Sequence, residues 1–191
     1  MHINTHIALG IIITLLYSYL LNPIFIEVFI VFCFSFLIDF DFILSKYAKN
    51  RNHRVLPTHG IMIYLFLIPF GFLLPIFFFL SVAGVVHVFI DCIDWGTAIL
   101  SPFSKKIYFG ILPKPPENII SEKSLNKRQC WFTLTYYKSK ILMSIEIIIF
   151  IISIISIILI NFFYWWFLIF YFLFLFIHLF SFYKCKNLKD K

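Results

Sequence analysis

Long apolar runs dominate this chain, and short polar stretches break them at near-regular intervals. A helix crosses the hydrocarbon core of a bilayer with about 20 mostly apolar residues. Six runs meet that length: Asn4–Leu21, Pro23–Ser45, Thr58–Leu80, Ser81–Leu100, Lys140–Ile160 and Asn161–Tyr183. Pro23 suits the first turn of the second run. Pro69 and Pro75 predict kinks in the third, and the division at Leu80–Ser81 is inferred from total length. Residues 101–139 form the one long polar region, with Pro113, Pro115 and Pro116 inside it. It reads as a cytoplasmic loop with interfacial pieces, since Trp131, Phe132, Tyr136 and Tyr137 stand beside Lys138 and Lys140. No internal repeat is visible. The pattern predicts an all-α, polytopic membrane bundle of about six transmembrane helices. It forms a single integral membrane domain over 1–191, with two further helices at 140–183 beyond the loop.

Composition agrees with the pattern. The 191 residues are 62% hydrophobic and 13% charged, whereas soluble domains are about 25% charged. Apolar runs are too many for a signal peptide to explain, and no small-residue cleavage site follows the first. The net charge of +7 would suggest nucleic acid in a soluble domain. Here the basic residues flank apolar runs, so membrane lipids are the expected partners and no nucleic acid is predicted. With six crossings, all 16 Lys and Arg fall on one side. They lie between the second and third runs, between the fourth and fifth, and in the tail. The positive-inside rule then places both termini in the cytoplasm of a multi-pass inner-membrane protein. Cys33, Cys92, Cys130 and Cys185 form no CxxC pair, and predict neither a disulfide framework nor a thiolate metal site.

The chemistry lies in ionisable residues at the ends of these runs. A charged side chain at mid-bilayer costs roughly 2.5–3.5 kcal/mol on insertion scales, so such residues are functional candidates. His6 opens the first run. Asp39 and Asp41 close the second, at a spacing that sets them on different faces of a regular helix. His53, Arg54 and His59 precede or open the third, with Thr58 as a helix N-cap. His87, Asp91 and Asp94, at spacings of four and three, form one stripe on the fourth. Glu146 sits about two turns inside the fifth. All approach one depth. A divalent cation would remove the repulsion among these carboxylates. Imidazole with carboxylate suits zinc, manganese or iron. The candidate metal ligands among these are His6, Asp41, His53, His59, His87 and Asp91. Asp39, Arg54, Asp94 and Glu146 are the catalytic candidates: Arg54 to hold a phosphate, and a carboxylate outside the ligand set as general base. Blander readings stand beside these. Asp39 pairs with Lys46 or Arg51, Asp94 orients a histidine, Glu146 serves as a relay or in packing, and His2 and His178 are terminal or interfacial residues.

The pattern Thr5-His6, Asp39-x-Asp41, His53-Arg54, Thr58-His59-Gly60, His87-x-x-x-Asp91, Asp94-x-Gly96 and Ser101-Pro102-Phe103 resembles the membrane-bound metal-dependent hydrolases of the LexA-binding, YdjM-type family. The resemblance covers 1–109. It implies distant similarity to zinc-dependent phospholipase C and P1-type nucleases, with His6, Asp41, His59, His87 and Asp91 as first-choice ligands. Phe42 stands where the family commonly has His, and Val55 where it commonly has Gly. The function expected is hydrolysis of a phosphoester, with zinc as the first-choice metal and manganese as the other. The substrate itself, a lipid or a soluble phosphoester, is not read from the sequence. Transport of a divalent cation or protons, and a metal-stabilised scaffold, are the competing readings. Against transport, the polar groups cluster at one end instead of lining a path.

Overall fold

The computed structural model describes residues 2–48, 52–120 and 125–189. Its helices are α1 (Ile3–Leu21), α2 (Phe25–Leu37), α3 (Ile61–Leu65), α4 (Pro75–Asp94), α5 (Glu117–Ile120), α6 (Leu125–Lys138), α7 (Lys140–Ile160) and α8 (Phe167–Lys189). Among the described residues there is no strand beyond an isolated bridge between Thr97 and Tyr108. Lys49, Arg51, Lys123 and Lys191, used in the charge argument above, lie outside the described residues.

Among the described residues, five helical segments are long and apolar enough to cross a membrane: Ile3–Leu21, Phe25–Tyr47, Pro75–Asp94, Lys140–Ile160 and Phe162–Asn187. The expected third and fourth spans are corrected. In place of Thr58–Leu80 the chain makes a shorter, broken element over Ile61–Phe72. The division falls at Leu74 instead of Leu80–Ser81. Proline explains both changes. Pro69 lacks an N–H and opens a 3-10 turn, Pro69–Phe72, where an α-helix would need that donor. Leu74 precedes Pro75 and is extended, with φ −137 and ψ 113. Pro75 then starts α4 in its first turn, where its missing N–H has no helical partner to lose. Ser81 consequently lies buried inside α4. At the other end α4 stops at Asp94 and not Leu100, because Gly96 takes φ 78. Pro23 lies just outside α2, which begins at Phe25.

The short element runs antiparallel to α4. Tyr64 rests on Gly84, where an added Cβ would fall 2.1 Å from the ring, and Gly71 lies against Phe78. This packing brings the chain before α3 to the level at which α4 ends.

α1 is the central helix and packs against α2, α4, α7 and α8. Ile7, Ala8, Ile11 and Leu15 are fully buried in one cluster with Val28, Phe32 and Phe167. α1 and α2 approach closely at Gly10, where an added Cβ would fall 2.0 Å from Ser35 Oγ. Small residues permit such backbone approach where no water drives helices together. Ser35 Oγ is satisfied by Phe32 O at 2.7 Å and His6 O at 3.3 Å.

The cysteine reading is also corrected. Cys130 on α6 and Cys185 on α8 form a disulfide, with Cα atoms 5.1 Å apart. Their separation of 55 residues carries no motif. Only the packing of α6 on α8 brings them together. Cys33 and Cys92 are free, as expected of apolar-segment cysteines.

Candidate metal centre

Beyond Leu37 the second helix tightens into a 3-10 helix, Ile38–Tyr47. That change of winding sets up the site. At three residues per turn, positions 39 and 41 stand about 120° apart instead of the roughly 160° of an α-helix. Both carboxylates can then reach one histidine from its two edges. Asp41 Oδ2 accepts from His59 Nδ1 at 2.9 Å, and Asp39 Oδ1 lies 3.7 Å from His59 Nε2. The first turn of α1 supplies His6, and the last turns of α4 supply His87 and Asp91.

These side chains enclose a common centre. His6 Nε2 lies 3.1 Å from Asp91 Oδ1 and 3.6 Å from Asp39 Oδ2. His59 Nε2 lies 3.2 Å from Asp91 Oδ2. His87 Nε2 lies 3.5 Å from Asp39 Oδ1 and 3.7 Å from Asp91 Oδ2. Bonds of about 2.0–2.1 Å from zinc to nitrogen or oxygen set the ligand atoms of a tetrahedral site roughly 3.3 Å apart, so these spacings suit a shared cation. The donor chemistry agrees. His87 Nδ1 donates to Ser35 O at 2.8 Å, and His59 Nδ1 donates to Asp41. With the proton on Nδ1, each Nε2 presents a lone pair. Both Nε2 atoms are buried and have no hydrogen-bond partner. Among the described residues, two sets meet the reach of a metal ion, His6 with Asp39, His87 and Asp91, and Asp39 with His53 and His59. Asp39 belongs to both. Its side chain is 15% exposed, against 0% for His6, His59, His87 and Asp91, so access to the centre is beside Asp39.

His53 approaches His59 edge-on, with ring centroids 5.1 Å apart. Burial, and then the neighbouring His59 and Arg54, lower its pKa to about 4 and keep the imidazole neutral. For His59 burial acts downward too. The three nearby carboxylates, Asp39, Asp41 and Asp91, outweigh it and push the pKa well above the ordinary value. Three carboxylates thus gather on a ring that takes a proton where no cation neutralises them.

The remaining candidates serve around this centre or apart from it. Arg54, expected as a phosphate holder, is buried and forks onto Asp94, with Nη2 2.9 Å from Oδ2 and Nη1 on Oδ1. It also donates to Asp91 O at 2.9 Å and approaches Asp91 Oδ1 at 3.4 Å. Its guanidinium is thus engaged with Asp94 and Asp91. Asp94 holds Arg54 in turn, and accepts from the Trp95 backbone N–H at 2.6 Å. Thr58 does not cap a helix. Gly60 precedes α3, and Thr58 Oγ1 donates to Asp41. Phe42 is 55% exposed and points away, so the family's histidine at that position leaves no gap in this cluster.

Glu146 is not at the centre. It joins a second polar group between α1, α6 and α7, accepting from Asn4 Nδ2 and from Tyr136 OH at 2.9 Å. His2 is part of that group. It is buried between Tyr136 and His178, with ring centroids 3.7 and 4.4 Å away. His2 is thus packed in place and is not a loose terminal residue.

A brace holds the 52–60 segment against the chain after α4. Thr97 Oγ1 donates to Arg54 O at 2.9 Å and His59 O at 3.3 Å. Ala98 N donates to Arg54 O at 3.0 Å, and Ser101 Oγ to Val55 O at 3.0 Å. The Asp94-x-Gly96 and Ser101 motifs therefore build support for Arg54 and His59. Ser35 and Thr97 were not singled out in the sequence. Ser35 acts through a backbone carbonyl, for which no sequence signal exists.

The fold and site define a class, that of a polytopic helical membrane protein with a buried histidine–carboxylate cluster at one end of the bundle. The family model described as YdjM inner membrane protein matches residues 1–159, and the chain belongs to that family. No curated protein and no solved structure matches it.

Proposed function

We propose that this protein is a membrane-bound metal-dependent hydrolase of phosphoesters. The observation that carries this reading is the pair of buried imidazoles, His59 and His87. Each is anchored through Nδ1 and aims an unbonded Nε2 at Asp39 and Asp91. His6, Asp39, His87 and Asp91 would hold one ion, and Asp39, His53 and His59 would hold a second, with Asp39 shared between them. Zinc fits this donor set best, with manganese the alternative. When bound, such an ion supplies Lewis acidity toward a phosphoryl oxygen and lowers the pKa of water.

The chain's own residues supply the rest. Arg54 fixes Asp91, and Asp41 fixes His59 with its proton on Nδ1. The basic residues around this end put it at the cytoplasmic face, with both termini in the cytoplasm. The substrate is then a lipid of the inner leaflet or a soluble cytoplasmic phosphoester.

The test is metal analysis of the purified protein with a screen of phosphodiesters and phospholipids. Activity is expected to require metal, vanish on chelation and return with zinc or manganese. Asp91→Asn, which keeps shape and removes charge, is expected to lose most bound metal and activity while remaining folded. Hydrolysis that resists chelators, or that survives in Asp91→Asn, would overturn the assignment.

A further inference from the structure

A groove of about 450 Å³ runs between α4 and the segment that follows it, lined by Phe89, Cys92, Ile93, Phe109, Gly110 and Ile111. At 100° per residue, Phe89, Cys92 and Ile93 lie on the side of α4 opposite His87, Asp91 and Asp94. The groove is therefore separate from the metal centre and faces away from the bundle axis. Its walls offer an occupant apolar surface and almost nothing to hydrogen-bond.

The outer wall is held firmly. Ile111 N donates to Ile93 O at 2.8 Å, Leu112 N to Asp94 O at 2.8 Å, and Tyr108 N to Thr97 O at 3.0 Å. Gly110, at φ 109, packs against the Trp95 carbonyl. The groove is thus formed before anything enters it.

Its rim is basic. Lys105, Lys106 and Lys114 are exposed, and no Asp or Glu occurs from 101 to 116. Lys106 Nζ lies 5.5 Å from the Tyr108 ring, one residue from the groove wall. Phe103 and Phe109 stand 81% and 80% exposed beside these lysines. Exposed aromatic rings next to lysines mark the headgroup level of a membrane.

We propose that this groove binds one anionic phospholipid, with an acyl chain along Phe89, Cys92 and Ile93 and its phosphate at Lys105 and Lys106. An apolar slot without polar partners accepts hydrocarbon. A rim of exposed lysines with no acidic residue beside them in sequence selects a headgroup of net negative charge over a zwitterionic one. The site does not depend on the hydrolase reading.

Native mass spectrometry of the full chain in detergent, titrated with phosphatidylglycerol or with phosphatidylcholine of the same acyl chains, tests it. The wild type is expected to retain one phosphatidylglycerol several-fold more readily than phosphatidylcholine. K105Q/K106Q is expected to bind the two equally. Ile111→Trp, which fills the slot from an exposed position, is expected to lower retention of both. Melting temperature and elution on size exclusion identify folded variants. Equal retention of both lipids by the wild type overturns the proposal, as does an unchanged preference in the lysine variant. Unchanged retention by folded Ile111→Trp places the lipid elsewhere and overturns it too.

Discussion

A histidine ligand depends on what holds its other ring nitrogen. In this protein two different groups do so, Asp41 for His59 and the Ser35 carbonyl for His87. Only the first can be removed by substitution. Asp41→Ala is expected to weaken metal binding by roughly 10–100-fold, the usual effect of losing such a partner. Phe42→Ala, next to it and exposed, is expected to leave binding unchanged. Competition against a chromophoric chelator reads both, and wild-type affinity in Asp41→Ala would confine Asp41 to its bond with Thr58. Much at this scale was legible beforehand. The four-residue spacing of His87 and Asp91 put both on one helical face, where the structure finds them. The division of labour between Asp39 and Asp41 was not legible. It turns on a change from α to 3-10 winding at Ile38, and nothing in the apolar run around that point announces it.

Among the elements, the chain between α4 and α6 contributes most to the centre without donating a ligand. Thr97 and Ala98 bind the carbonyls of Arg54 and His59 only because the chain reverses at Gly96. Gly96 has φ 78, and a Cβ there would meet Tyr108 O at 2.5 Å. A residue with a side chain pays roughly 1–2 kcal/mol for the left-handed backbone alone. Gly96→Ala is therefore expected to lower the melting temperature and to release metal at lower chelator concentration than the wild type. Unchanged metal retention would mean that the brace is dispensable to the centre. The long apolar elements were readable from hydropathy, but the short one was not. Ile61–Phe72 continues into α4 as one hydrophobic stretch, and a length-based division places the boundary too late. The decisive residue is Pro75, which the sequence reading treated as a kink within a span.

For the whole molecule, two features bear on orientation. The positive-inside rule, applied to the charge distribution, predicts that the basic end is cytoplasmic. Cys130 and Cys185 are bridged in contact between α6 and α8, and the cytoplasm keeps such pairs reduced. A cytoplasmic location therefore predicts that both react with a membrane-permeant alkylating agent in intact cells. Reporter fusions after Lys140 and after Lys191 are both expected to give cytoplasmic signals. External signals, with both cysteines protected from alkylation, would invert the orientation. The pairing itself could not be read from the sequence, because it depends on two helices meeting far apart in the chain. The distribution of ligands over that chain has a further consequence for biosynthesis. α1 and α2 enter the bilayer bearing His6 and Asp39, while the His87 and Asp91 that face them have yet to leave the ribosome. Until α4 inserts, Asp39 has His6 beside it but neither His87 nor Asp91, and a carboxylate so incompletely met opposes membrane residence of its own helix. Arrival of α4 completes its surroundings, so the first hairpin depends for its place in the bilayer on a helix made after it.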